Sequence, residues 1–311
     1  MLNFTLKQLR YVETAGRLGS ISKAADELNI SQSSITAAID ALEQSLDFDI
    51  FVRTPAKGIQ ATPSGIEALQ LVRNFIDQSR HFESEVQSVG SDASGLVRIA
   101  CYATAAPSFL PPILEAITEE FPGISIKLLE GDMAHIQEFL KNGEADLAFT
   151  YGPAMDNRHD FLPLFEAPFY ALVRDDDPLT TQNAVTLSDL STKPMVLLDL
   201  PIARDFFADL FDTKGLVADI AHTSRSSEIC RTLVAGGFGF CILNILPSDY
   251  GKGVLPVTAL PISDAGDGPI FGIATITGVR QPKTVRAFLD SCMRLKDAGA
   301  FDHITVSLPS N

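Results

Sequence analysis

The N-terminal fold is decided by the stretch SISKAADELNISQSSITAAIDALEQS at residues 20–45. Its apolar residues recur every three or four positions in two short blocks, which is the spacing of amphipathic helices. Ser20 and Ser31 stand where the two blocks begin, and serine is a favoured helix N-cap. Small Ala24 and Ala25 allow two helices to approach closely. The stretch therefore predicts a helix-turn-helix with its turn at residues 29–31.

The residues on either side of this stretch extend the prediction. Upstream, apolar residues between Leu6 and Ala15 predict a first helix, which we expect Gly16 and Gly19 to end. Downstream, residues 48–52 and 59–62 have strand character around a turn at 54–58, so a β-hairpin follows the helices as a wing. Arg53 and Lys57 fall at the tip of this wing, where they would meet a phosphate backbone.

A long helix is predicted over residues 63–89, with Thr62 as its cap and Pro63 at its first position. Its apolar stripe needs a partner, which is either a second copy of the chain or the chain's own globular body. We expect self-association, because winged domains commonly bind paired half-sites as dimers. The small and polar residues at 90–95 then predict a linker.

Residues 90–311 alternate short apolar runs with helical periods in two successive βαβαβ units. This order predicts parallel sheets covered by helices. Two α/β lobes joined by crossing strands would place a cleft between them at the strand ends. The fold class is thus α/β, with an all-α winged helix-turn-helix domain in front of it.

Composition excludes several classes of protein. The 311 residues hold 24 Lys and Arg against 39 Asp and Glu, a net charge of −15, which argues against a surface that coats membranes or nucleic acid as a whole. The sequence has neither a signal-peptide pattern nor an apolar run long enough to span a membrane, and its four cysteines form no CxxC, so we expect a reduced cytoplasmic protein. Scattered histidines and the lack of a GxSxG turn predict no metal, no cofactor and no enzyme activity.

The first sixty residues resemble the DNA-binding domain of LysR-type transcriptional regulators, and the resemblance continues through the linker helix into the body. The N-terminal matches are Ala24-Ala25…Leu28, Ser31-Gln32, Ile39…Leu42-Glu43, Phe51, Arg53 and Thr62…Gly65. The matches in the body are Leu110-Pro111-Pro112, Phe121-Pro122, Gly143…Asp146-Leu147-Ala148 and Val234 to Gly239.

The resemblance implies a winged domain at 1–62, a dimerisation helix at 63–89 and a two-lobed, periplasmic-binding-protein-like effector domain at 90–311. It divides the effector domain into lobe I, about 93–163 plus 270–311, and lobe II, about 164–269. It also implies a ligand-responsive regulator with double-stranded DNA, a small-molecule effector, RNA polymerase and further copies of itself as partners. Closure of the cleft on the effector would reset the packing of dimers within a tetramer.

The candidate DNA-binding residues lie at the start of the third helix and on the wing. The family positions of Gln32 and Thr36 contact DNA, and a glutamine pairs well with adenine. Ser33 and Ser34 either reach DNA or only cap the helix, as Ser31 does; Arg53 and Lys57 complete the set. Where many relatives carry arginines the chain has Ala37, Ala38 and Asp40, so we expect modest affinity for each domain and binding as a dimer or tetramer.

The resemblance also assigns residues to the effector cavity: Cys101, Thr104, Asp132, Met133, Pro201, Ile202 and Ala203. Arg204 and Arg225 are the candidate cations for a carboxylate, or else form surface ion pairs with Asp205 and Glu228. Asp132 is first a helix cap, but facing the cavity it would favour an amine or hydroxyl. The effector is therefore expected to carry a carboxylate or an amine. Tyr102 and Tyr151 are candidates for stacking or packing.

Two alternatives remain open on the sequence. The body alone would suit a cytosolic small-molecule binding protein. A redox-sensing regulator is the other, since Cys230 and Cys241 lie eleven positions apart. Their places on an apolar helix and in a strand favour buried, inert thiols.

Overall fold

A computed structural model describes residues 4–54, 58–87, 93–155, 158–248, 250 and 255–308. The chain divides into two compact units, residues 1–87 and residues 88–311, and each is described by itself. In the described ranges, no helix has both the length and the apolar character needed to cross a membrane.

Unit 1 opens with three helices, α1 (Leu6–Leu18), α2 (Ile21–Leu28) and α3 (Gln32–Leu46). Thr5, Ser20 and Ser31 cap them by accepting hydrogen bonds from backbone N–H groups in the first turn, so the predicted caps at Ser20 and Ser31 are confirmed. The predicted stop at Gly16 is wrong, and α1 ends before Gly19, which is left-handed at φ 60°.

Gly16 lies inside α1 for a packing reason. A Cβ there would approach Leu69 Cδ1 to 2.9 Å, so the missing side chain allows a later helix to lie close to α1. Similarly, Ala24 and Ala25 are buried between α2 and its neighbours, and Asn29 makes the turn into α3 with φ 53°. The helix-turn-helix is present as predicted.

The wing consists of β1 (Phe51–Thr54) and β2 (Gly58–Ala61), paired antiparallel. Strand β1 begins three residues later than predicted, because the backbone N–H and carbonyl of Ile50 both form hydrogen bonds with residues outside the wing. Glu43 Oε1 accepts the N–H groups of Ile50 and Phe51 at 2.8 and 2.9 Å, and the Ile50 carbonyl accepts the Thr62 N–H at 2.9 Å. Lys57, predicted at the tip, lies outside the described residues.

Helix α4 (Pro63–Gln87) follows directly. Thr62 Oγ1 accepts the N–H of Gly65 at 2.8 Å and donates to the Asp49 carbonyl, and a Cβ on Gly65 would collide with the Ile50 carbonyl. One face of α4 buries Leu69 and Ile76 in the core of unit 1. Four large apolar side chains are exposed on another face: Leu71, Phe75, Phe82 and Val86.

Unit 2 contains ten strands and six helices in its described part. In chain order they are β3 (Gly95–Tyr102), α5 (Ala106–Glu120), β4 (Ile124–Gly131), α6 (Met133–Lys141), β5 (Leu147–Tyr151), β6 (His159–Glu166), β7 (Tyr170–Arg174), α7 (Leu187–Leu190), β8 (Pro194–Leu198), α8 (Ala203–Asp212), β9 (Asp219–Ser224), α9 (Ser227–Ala235), β10 (Cys241–Leu243), β11 (Val257–Pro261), β12 (Ile270–Ile276) and α10 (Lys283–Asp297).

Lobe I is built on a five-stranded sheet of order β4-β3-β5-β12-β6. The β3, β4 and β5 strands are parallel as predicted, whereas β12 runs antiparallel to β5 and β6. Helix α5 begins five residues before its predicted start at Pro111. Pro107 occupies its first turn, and Pro111 and Pro112 continue inside it. Helix interiors usually exclude proline, so the sequence pattern did not predict a helix that begins at Ala106 and continues through Pro111 and Pro112.

Lobe II holds the strands β10-β7-β11 and β8-β9, connected by a bridge between Met195 and Phe240. The chain passes between the lobes twice, from β6 to β7 and from β11 to β12. One hydrophobic core spans both, with fully buried Phe109, Phe149, Tyr170 and Phe240. The parallel strands of the two lobes thus end around the space between them.

We expect Glu43→Ala to destabilise unit 1 by about 1–3 kcal/mol, since it leaves two backbone N–H groups without their acceptor. Glu43→Gln keeps a carbonyl oxygen at this position and should cost less. Hydrogen–deuterium exchange on the full chain would show faster exchange in peptides covering residues 47–61. Peptides covering β3 serve as the internal control, and equal exchange in Glu43→Ala and wild type at residues 47–61 would contradict the assignment.

Candidate functional site

The start of α3 presents polar side chains to the surface. Gln32 and Ser33 are exposed, and Thr36 follows one turn after Gln32 on the same face, half-buried. The Ser31 hydroxyl lies 2.9 Å from that of Ser33 and 2.8 Å from that of Ser34. Both serines therefore take part in the helix cap, while Gln32 and Thr36 project from the exposed face beside it.

Arg53 lies next to this face through an ion pair. Its Nη2 is 2.5 Å from Oδ1 of Asp40, two turns beyond Gln32 on α3. Both side chains are more than half exposed, at 53% and 57%, so water or a phosphate oxygen can also reach the guanidinium. The pair connects the wing to α3 and places the Arg53 charge beside the candidate base-reading residues.

Positive charge on unit 1 is sparse and partly offset. Residues 1–62 contain six basic and seven acidic side chains. Arg17 Nη2 pairs with Glu27 Oε1 at 2.5 Å, in addition to the Arg53–Asp40 pair. Lys7, Arg10 and Lys23 are exposed. Simple phosphate neutralisation by one such unit is correspondingly weak.

A cavity of about 540 Å³, measured with its open mouth, lies between the two lobes of unit 2. Lobe I contributes Tyr102, Thr104, Ala105, Met133 and Tyr151, and the remaining lining residues are Phe169, Leu198, Ala203, Phe206, Phe207, Ser227, Arg231, Leu243, Asn244, Ile245 and Pro269. A lining that is largely aromatic and aliphatic is typical of small-molecule sites. The cavity is mainly apolar, with a few polar groups.

Three of the predicted effector residues line this cavity: Thr104, Met133 and Ala203. Cys101 does not, because its side chain is fully buried in the sheet beneath it. Pro201 and Ile202 belong to the loop before α8 but are not part of the lining. Ile202 adopts φ 67° and ψ −48°, a strained conformation for a β-branched residue.

The two predicted cations also lie outside the lining. Arg204 is 57% exposed and its Nε donates to Asp199 Oδ1 at 2.6 Å, and Arg225 is 68% exposed with Nη2 3.2 Å from Asp132 Oδ2. The alternative partners expected from the sequence, Asp205 and Glu228, are therefore wrong. The partner of Arg204 lies five residues earlier, directly after β8, and the partner of Arg225 belongs to the opposite lobe.

Asp132 connects the lobes. Its Oδ1 accepts the N–H groups of Ala134 and His135 at 3.1 Å as the cap of α6, and the His135 Nδ1 lies 2.8 Å away, while Arg225 reaches it from lobe II. The side chain is only 4% exposed. Burial raises the pKa of Asp132, but these hydrogen bonds from His135 and Ala134 and the His135 charge outweigh burial, and the pKa lies below its ordinary value.

The sequence interpretation missed Arg231, the cation that does line the cavity. It lies on α9 one turn after Ser227, which also lines the cavity, and its side chain is 13% exposed. Its Nη2 donates to Glu228, which is 66% exposed and directed to solvent. The helical spacing from Ser227 to Arg231 was the available signal, because it places both side chains on the inner face of α9.

Two tyrosines form the lobe I wall. The rings of Tyr102 and Tyr151 pack edge to face with centroids 5.6 Å apart, and the Tyr151 hydroxyl donates to Asn244 Oδ1 of lobe II at 2.9 Å. Burial raises the pKa of both tyrosines, so their hydroxyls remain protonated at neutral pH. They therefore contribute packing and a connection between the lobes.

All four cysteines are buried free thiols. Burial raises the pKa of Cys230 to about 11 and that of Cys241 further, and the same cause raises the pKa of Cys101 and Cys292 to about 11 and 12. Thiolates are the reactive form, so these side chains are unreactive at neutral pH in this conformation. Within the described ranges, no three His, Cys, Asp or Glu side chains form a group that could hold a metal ion.

We expect Asp132→Asn to lower the free energy of unfolding at pH 7 by about 1–3 kcal/mol, because the hydrogen bonds then lose their charged acceptor. The depressed folded pKa makes this contribution present above the unfolded pKa of about 3.9 and lost as pH falls through the folded value. The difference from wild type should therefore shrink below about pH 4. Urea unfolding followed by circular dichroism from pH 7 down to about pH 2.5 measures it, with Asp205→Asn at an exposed position as the control; a difference independent of pH would contradict the interpretation.

Two family models match the chain. The model described as "Bacterial regulatory helix-turn-helix protein, lysR family" matches residues 6–66, and "LysR substrate binding domain" matches residues 90–296. Together they cover the winged helices and the two lobes around the cavity.

Curated relatives and solved structures agree with these matches. The chain is 30% identical over 242 residues to the HTH-type transcriptional regulator cbl of Escherichia coli, covering 76% of each chain. It is 26% identical over 298 residues to the HTH-type transcriptional regulator CysB of Burkholderia cenocepacia, covering 93% of this chain and 92% of that one. The structure of HinK, a LysR family transcriptional regulator from Pseudomonas aeruginosa, superposes with TM-score 0.61 at 29% identity over 94% of this chain and 98% of its own.

These matches cover the helix-turn-helix as well as the two-lobed domain. The alternative of a small-molecule binding protein without a DNA-binding role is therefore not supported. Proteins of this kind are DNA-binding regulators and not enzymes. The chain belongs to the LysR family of transcriptional regulators, with a helix-turn-helix that binds DNA and a two-lobed domain that binds an effector.

Proposed function

We propose that this regulator reads its operator with the exposed start of α3 and changes its activity when a small molecule fills the cavity between the lobes. The observation that carries the proposal is the pairing, in one chain, of a capped α3 with exposed Gln32 and a cavity whose walls come from both lobes. A cavity shared by two lobes responds to a ligand by closing, and closure is a change that a dimer can transmit.

On the DNA side, Gln32 and Thr36 form the base-reading pair. Their spacing of four residues aligns them along α3, and a glutamine amide can make paired hydrogen bonds with adenine in the major groove. Ser33 and Ser34 act chiefly through the cap and approach phosphates. Arg53, positioned by Asp40, contacts the DNA backbone, and Lys57, which lies outside the described residues, is proposed as a second phosphate contact.

Because each DNA-binding unit carries little positive charge, we propose that several units bind together. The exposed residues of α4, Leu71, Phe75, Phe82 and Val86, recur at intervals of four and seven and form a continuous apolar stripe. This stripe supplies a dimer contact, and two dimers form a tetramer through further surfaces. Paired binding multiplies weak single-site affinities through effective concentration.

The effector acts by preferring one state of the lobes. Asp132–Arg225 and Tyr151–Asn244 already connect the lobes at the cavity, so a ligand that inserts there shifts their spacing. Only an effector with unequal affinity for the two states changes DNA binding. The proposal includes action in the cytoplasm and contact with RNA polymerase at the promoter. Redox sensing through Cys230 and Cys241 has little support, since both thiols are buried.

Gln32→Ala should weaken binding to the operator by about 1–3 kcal/mol and relax the preference at one base pair, because an amide that reads one base is lost. The matched control is Gln44→Ala, the same substitution at an exposed position near the other end of α3. Fluorescence anisotropy on an operator selected from genomic fragments gives both affinities. Equal affinities in Gln32→Ala and the control would remove Gln32 from the interface.

Arg53→Gln should lower affinity for operator and random DNA alike. The slope of log affinity against log salt should decrease by about 1, as expected for one phosphate contact. The same anisotropy measurements across a salt series test this. An unchanged slope would show that Arg53 contributes only to the ion pair with Asp40.

Phe75→Glu should dissociate the dimer to monomers at micromolar concentration, because a charge in an apolar contact is desolvated without a partner. Asn74→Glu adds the same charge at the neighbouring exposed position, one step around the helix, and should leave assembly intact. Sedimentation velocity measures the mass of both. If Phe75→Glu sediments like wild type, the α4 stripe is not the contact.

A further inference from the structure

The residues that line the cavity indicate which chemical class of ligand it can bind. Aromatic side chains come from both lobes: Tyr102 and Tyr151 from lobe I, and Phe169, Phe206 and Phe207 from the other side. Phe169 and Phe207 pack edge to face with centroids 6.1 Å apart, as Tyr102 and Tyr151 do at 5.6 Å. A flat ring inserted between such pairs would contact ring edges and faces on both sides.

Four helix N-termini also converge on the cavity. Ala105 is the N-cap residue of α5, and Met133, Ala203 and Ser227 are the first residues of α6, α8 and α9. All four line the cavity. Helix N-termini carry partial positive charge and unpaired N–H groups, so their summed field favours a negative group.

Arg231 adds a full positive charge to this field. Among the described lining residues it is the only charged side chain, and none is a carboxylate. Asp132 lies next to Met133 but outside the lining, where Arg225 and His135 accompany it. Glu228, the partner of Arg231, is 66% exposed, so it pairs from the solvent side. A cationic effector would thus enter without a counter-charge.

We infer that the effector is an aromatic monocarboxylate whose carboxylate binds the Arg231 guanidinium and whose ring lies among the aromatic side chains of the two lobes. The inference rests on the proposed function and names the ligand class of that cavity. A carboxylate receives two parallel N–H donors from a guanidinium, a geometry that an amide cannot reproduce with equal strength. Ser227 and Asn244 lie in the same lining and supply hydrogen bonds to a substituent on the ring.

The charge of the cavity lining disfavours two other ligand classes. Glu228 already pairs with Arg231 from the solvent side, so a dianion such as a phosphate monoester would bring a second negative charge that no described lining residue balances. A primary amine meets helix N-termini and a guanidinium, all of the same sign. Of the two effector groups expected from the sequence, the carboxylate is thus favoured over the amine. The cation that would bind it is Arg231, in place of Arg204 or Arg225.

The test is isothermal calorimetry on the full chain with benzoate, phenylacetate and 3-phenylpropionate, each compared with its amide and with 2-phenylethylamine. At least one acid should bind, with its amide about tenfold or more weaker and the amine without measurable heat. Arg231→Gln should weaken the acid by about tenfold or more, and Arg231→Lys, which keeps the charge but loses the fork, by less.

The matched control is Arg204→Gln, which removes an arginine paired with Asp199 outside the cavity and should bind the acid as wild type does. Should Arg231→Gln fail to fold, Arg231→Lys and the acid–amide comparison on wild type still decide the matter. Binding by none of the three acids, equal binding of acid and amide, or an Arg231→Gln variant with unchanged affinity would each overturn the inference.

Operator binding measured without ligand on the same preparations distinguishes failure of the ligand class from failure of the proposed function. A protein that binds its operator but none of the acids contradicts only the ligand class. A protein that binds the acids but no genomic DNA contradicts the proposed function.

Discussion

The backbone of Ile50 is the point on which unit 1 depends. Its N–H is held by Glu43 at the end of α3, and its carbonyl receives the N–H of Thr62 at the start of α4. Gly65 keeps the first turn of α4 in contact with the same carbonyl. One residue therefore connects the wing, α3 and α4, in addition to the contacts that these elements make in the hydrophobic core of unit 1.

In unit 2, the contacts that connect the two lobes lie beside the cavity proposed for the effector. Its core is continuous across the lobes, and the cavity where the strands of both lobes end is mainly apolar with a few polar groups. Asp132 with Arg225 and Tyr151 with Asn244 connect the lobes beside the cavity. The contacts that connect the lobes thus lie beside the space that the proposed effector would fill, and we expect ligand binding to change the lobe spacing.

Most elements were predictable because their signals are local. Caps at Ser20 and Ser31, the β8 strand and the parallel β3–β4–β5 order follow from residues close in sequence. Two features could not be predicted from local signals. The partner of Arg225, Asp132, comes from the other lobe, and α5 contains two prolines, which normally end a helix. The predicted site residues lie in the turns before helices, whereas Arg231 lies in the second turn of α9, from which a long side chain reaches back toward the helix N-terminus.

The paired arginines of unit 1 have a consequence for how the regulator searches the chromosome. Arg17 and Arg53 are each offset by an acidic neighbour, and the whole chain carries a net charge of −15. Random DNA competes for any regulator at about 10⁶–10⁹ sites, and sequence-independent attraction decides how many molecules these decoys retain. Because unit 1 carries little unpaired positive charge, we expect random DNA to retain it weakly and a larger share of the molecules to remain free to find the operator.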